Sequence, residues 1–138
     1  MADMTHDADP VRRSGRAMPR IITLGLVYVC MALSFNATSL TLRLNDMVPL
    51  APTALVKATI LFALYLIVLF LGFRGYDKVY RGGMAVFVVV LTIIGIVPHI
   101  QRGFMPDLYH SQGSWLGAIC INIFGVAMSA VGAVRGAR

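Results

Sequence analysis

The chain contains no glutamate: its six acidic side chains are all aspartates, and none falls within a long apolar run. That absence speaks against a proton-coupled drug exporter of the small four-helix kind, whose chemistry needs a carboxylate at mid-membrane. Charge of either sign is scarce, at 13% of residues, where ordinary soluble domains carry about 25%. With 58% hydrophobic residues in a chain of 138, no soluble core of this size hides so much apolar surface. Cysteine is nearly missing as well. Cys30 and Cys120 each stand alone in an apolar segment, outside any CxxC or metal-type spacing, so buried, inert thiols are expected. Phosphate-loop, dinucleotide-binding, kinase and zinc-protease patterns are also lacking, and neither enzymatic chemistry nor a bound cofactor or metal is expected.

What the sequence has in abundance is apolar runs. The clearest is residues 58–73, ATILFALYLIVLFLGF, held between Lys57 and Arg74. At about 1.5 Å per helical residue it falls a little short of the ~30 Å hydrocarbon core, so its helix is expected to begin upstream, near Ala51, with Lys57 inside it. Three further spans follow from the same reasoning, giving 21–42, 51–73, 84–100 and 114–134. The expected fold is all-α and integral to a membrane: four transmembrane helices arranged as two antiparallel hairpins. Residues 1–20 read as a disordered basic tail and 135–138 as a short basic one. Arg12-Arg13 invites a secretion-signal reading, but the apolar region that follows is too long for a signal core and lacks a small-x-small site, so a retained anchor is expected. Met18, just before Pro19, is a second candidate start.

The net charge of +6 is read by position rather than as a nucleic-acid footprint. Arg12, Arg13, Arg16, Arg20, Arg74, Lys78, Arg81, Arg135 and Arg138 fall on the side of the two chain ends, while Arg43, Lys57 and Arg102 fall on the other. Basic residues favour the cytoplasmic side, so both termini are expected there, in what reads as a bacterial inner membrane.

Two spans carry more than hydrophobicity. The second half of the first span crowds Ser34, Asn36, Thr38, Ser39 and Thr41 together; such groups act as interhelical hydrogen-bonding glue or wall a polar cavity. Asn36-Ala37-Thr38 matches a glycosylation sequon but lies within the span. In the fourth span Gly113, Gly117, Ile121, Gly125 and Ser129 recur every four residues, with Gly132 beyond them. Small-xxx-small faces let helix backbones approach closely, and the partner is another span of the chain or a second subunit. In the third span Pro98 is expected to kink or end the helix, because it lacks a donor and crowds the Ile94 carbonyl.

Candidate functional groups gather on the side away from the termini: Asn36, Arg43, Asp46, Lys57, His99, Arg102 and His110. Lys57 reads as a snorkelling or paired lysine, with Asp46 the nearest acid in sequence. His99 and His110 lack a helical i, i+4 spacing and a supporting carboxylate, so interfacial hydrogen bonding is expected rather than metal or haem ligation. Two functions fit. The first is a non-catalytic accessory or assembly subunit that packs its fourth helix against a larger membrane complex or against itself; the second is a small transporter or channel component with an outward-facing, positively charged vestibule.

Overall fold

The structure, a computed structural model, describes residues 19–137; the tail expected over most of 1–20, and Arg138, lie outside the described residues. Four helices are long and apolar enough to cross a membrane: α1 (Arg20–Leu44), α2 (Leu55–Phe73), α3 (Asp77–Arg102) and α4 (Gln112–Arg135). No strand occurs among the described residues. Bulky aliphatic side chains cover the outer surface, with Val56 72% and Ile94 63% exposed. Such a surface suits lipid and not water, and the protein is an integral membrane four-helix bundle.

α1 packs on α2 and α4, and α3 packs on the same two helices, while the backbones of the diagonal pairs stay apart among the described residues. The centre is built from tyrosine. Tyr28, Tyr65 and Tyr80, from α1, α2 and α3, are each 0–1% exposed. All three meet the small-residue face of α4. A Cβ on Gly125 would lie 2.5 Å from the Tyr28 ring, and one on Gly132 would lie 2.7 Å from the Tyr80 hydroxyl oxygen. Between them Ser129 donates to the Tyr65 hydroxyl over 3.3 Å. Edge-on contacts extend the layer, with Tyr28 and Tyr65 ring centres 5.2 Å apart and Tyr65 and Phe87 4.8 Å apart. The ridge at Gly125, Ser129 and Gly132 is therefore a packing face whose partners lie in the same chain. Gly117 makes only ordinary contact with Phe35, at 3.6 Å, and Gly113 is exposed; neither extends the close-packed face.

Several boundaries differ from expectation for local reasons. α2 begins at Leu55 rather than near Ala51, because Val48 and Ala51 each precede a proline and are held away from helical geometry. The connection is clasped instead: the Ser39 hydroxyl donates to the Ala51 carbonyl over 3.2 Å, and the His110 N–H donates to the Pro49 carbonyl over 2.8 Å. α3 begins at Asp77, not Met84, so the basic loop shrinks to the few residues around Gly75. Gly82 and Gly83 are not breakers here; Gly83 lets α3 lie against Val68. The C-terminal residues 136–137 are not a free tail, since the Ala137 N–H donates to Asp77 Oδ1 over 3.1 Å. Pro98 does not end α3. A π-helical turn, Leu91–Ile96, precedes it and relieves the crowding that an uninterrupted α-helix would impose, so the helix runs on to Arg102. Cys30 and Cys120 are exposed on the outer surface, contrary to the buried positions expected of them.

The polar half of α1 is not held by interhelical hydrogen bonds in the main. Asn36 donates to the Ala32 carbonyl over 2.8 Å, Thr38 to Ser34 over 3.0 Å and Thr41 to Ala37 over 3.1 Å. Each group satisfies its donor on its own helix, one turn back.

Candidate functional site

A cavity of about 340 Å³ opens between the four helices, at the end of the bundle away from the chain termini. That volume is within the ~300–1,000 Å³ usual for small-molecule sites. Four expected vestibule residues line it: Asn36 from α1, Lys57 from α2, and His99 and Arg102 from α3. Lys57 sits in the first turn of α2, so the later helix start puts its ammonium nearer the rim than expected. Arg102 is the last residue of α3. Both cations are exposed, and no acidic residue is among those lining the cavity.

Three expected residues lie elsewhere. Arg43 lines a small neighbouring recess, which it shares with Asn36 and Thr53. Asp46 occupies an exposed turn after α1 with φ 56°, and it does not line the cavity with Lys57. His110 is exposed and contributes its backbone N–H to the loop clasp, not its ring to the cavity.

A polar lining residue within a span escaped the sequence reading. Asn122, in the middle of α4, donates through Nδ2 to the Ala118 carbonyl over 2.8 Å. Its Oδ1 is left against Gly95 of the π-helical turn, where a side chain would collide with it. A lone amide in the middle of an apolar span was the signal available, since polar groups at that depth are costly and mark function by default.

The rim on the α3 side is stiffened by a buried polar cluster. His99 Nδ1 and the Tyr109 hydroxyl are 2.7 Å apart, and the Trp115 indole N–H donates to the His99 carbonyl over 2.9 Å. Tyr109 is fully buried against Ala51 and Ala118. Trp115 is half-buried in the same cluster. Burial pushes the Tyr109 phenol upward, opposed by the nearby Arg102 guanidinium. The phenol therefore keeps its proton at neutral pH, and the His99 tautomer sets which partner donates in the bond to Nδ1. Tyr109→Phe strands Nδ1 in a buried site, and a loss of about 1–3 kcal/mol is expected. A denaturation midpoint in detergent checks this; an unchanged midpoint would show that the pair carries no stability.

Among the described residues no three His, Cys, Asp or Glu side chains are grouped to hold a metal ion. The arrangement is suited to binding: two exposed cations at helix ends, one amide each from α1 and α4, and apolar walls from Phe62, Leu91 and Ile121. Comparison with known protein families, characterised proteins and solved structures finds no match to the chain.

Proposed function

We propose that the protein is a small, non-catalytic transporter or channel component whose cavity is an outward-facing vestibule for an anionic ligand. One observation carries this reading: side chains from all four helices converge on a cavity whose only fully charged lining residues, among those described, are Lys57 and Arg102. In a site with low-dielectric walls two cations without a neighbouring acid favour an anion. The sidedness belongs to the same proposal. The bundle inserts as two hairpins with both chain ends in the cytoplasm, as nine basic residues against three direct, and in a bacterial inner membrane the cavity would face the periplasm.

An accessory or assembly role, or self-association through the fourth helix, loses the surface that argued for it. Gly125, Ser129 and Gly132 are filled by Tyr28, Tyr65 and Tyr80 of the same chain. The deciding experiment is flux into reconstituted vesicles of labelled carboxylates running from acetate to stearate. At least one is expected to cross faster than in protein-free vesicles and to slow with Lys57→Gln. No flux for any of them, together with stoichiometric copurification of a larger membrane protein, would favour the subunit reading instead.

A further inference from the structure

The cavity has a side opening and an apolar floor, and a small hydrophilic anion has use for neither. α2 runs close to α3 only along Asp77–Val90; beyond Leu91 its backbone approaches neither the π-helical turn nor Val97–Arg102, both of which lean on α4. Yet Ala58 and Leu61 of α2 line the same space as Ile94 and Pro98 of α3. The cavity is thus the gap left where these two helices part, and no helix closes its outer flank. Ile94 lines this space and is nevertheless 63% exposed, so the flank faces hydrocarbon. The lining is graded by depth. Lys57 and Arg102 stand at helix ends, at the rim, whereas Phe62 lies about one and a half turns and Leu91 about three turns further along their helices.

A cationic rim over an apolar floor, open sideways to lipid, is complementary to an amphiphile. Resting on the vestibule reading above, we infer that the ligand is an acyl-chain anion: its carboxylate or phosphate head is held by Lys57 and Arg102, and its chain runs past Leu61 and Phe62, having slid in from the outer leaflet between α2 and α3. Head and chain are recognised by different elements, so each can be tested alone.

Trp115, the only tryptophan, supplies the readout, because it bonds to His99 and packs with Ala118, two residues that line the cavity. The full chain in phosphatidylcholine nanodiscs is titrated with dibromostearate, with phosphatidylglycerol bearing brominated chains, and with brominated phosphatidylcholine. Saturable quenching is expected from one of the two anions and not from the zwitterion, and which anion succeeds separates a free carboxylate from a phospholipid. In Lys57→Gln/Arg102→Gln affinity should fall about ten- to hundredfold for each cation lost, since each removes a charged hydrogen-bond donor. Ala58→Phe, which fills part of the apolar lining and leaves both cations, should weaken quenching too. Circular dichroism confirms that each variant is folded. Equal quenching by all three lipids, or quenching indifferent to both variants, overturns the inference. If inorganic phosphate protects Trp115 as well as stearate does, the acyl chain is irrelevant and the inference fails, while the anion-binding vestibule stands.

Discussion

Gly125→Leu is expected to prevent the bundle from assembling, and Gly125→Ala to weaken it severely. Even the single carbon of alanine would lie 2.5 Å from two ring atoms of Tyr28. That ring has no space to retreat into, because it is fully buried between Phe62 and Tyr65, with ring centres at 6.0 and 5.2 Å. Overpacking of a closed core costs roughly 1–3 kcal/mol per added carbon or two, and leucine adds four. Gly117→Ala is the control: its new carbon meets Phe35 at 3.6 Å, an ordinary contact. There alanine's better helix propensity, worth up to about 1 kcal/mol over glycine, should make the change neutral or stabilising. Unfolding midpoints in mixed detergent micelles compare the three. A Gly125→Leu protein with the parent midpoint would mean that tyrosines on a small-residue ridge do not hold the bundle together.

Reversing both rim charges, Lys57→Glu with Arg102→Glu, is expected to abolish carboxylate flux and ligand quenching of Trp115. A hydrogen bond to a charged partner is worth about 1.5–3 kcal/mol, or roughly ten- to hundredfold in affinity per cation. Reversal adds repulsion to the loss of attraction. The fold should tolerate the pair. Lys57 stands at the start of α2, where a carboxylate suits the helix dipole better than an ammonium does; Arg102 stands at the end of α3, where the change is mildly unfavourable. The two effects oppose each other. In the parent protein raised salt should weaken uptake, as exposed cations are screened over about 8 Å at physiological ionic strength. Flux undiminished by the double reversal would remove the anionic vestibule.

The spans were legible in the sequence because a bilayer imposes length and hydrophobicity on every crossing helix. Convergence of Asn36, Lys57, His99 and Arg102 was legible for a related reason: polar groups near one end of crossing helices have few places to go. Their separation from Asp46 and His110 was not, since it depends on how two loops clasp each other through Pro49 and Ala51. Four-residue spacing exposed the ridge on α4 but could not say what fills it, because the tyrosines opposite come from three helices and share no periodic pattern. The helix glycines misled in the same way. Gly82-Gly83 resembles a loop boundary, and only the approach of Val68 to Gly83 gives it another purpose. The π-helical turn was half visible: Pro98 announced a conflict with the Ile94 carbonyl, and the chain resolved it by inserting a wider turn upstream instead of stopping.

The arrangement of membrane, cavity and charge is tested most directly by cysteine labelling from outside intact cells. In a Cys30→Ser/Cys120→Ser background, Lys57→Cys and Lys78→Cys are each treated with a membrane-impermeant maleimide. The expected result is modification at position 57 from outside, and at position 78 only after the membrane is broken. Modification of both positions from the same side would contradict it.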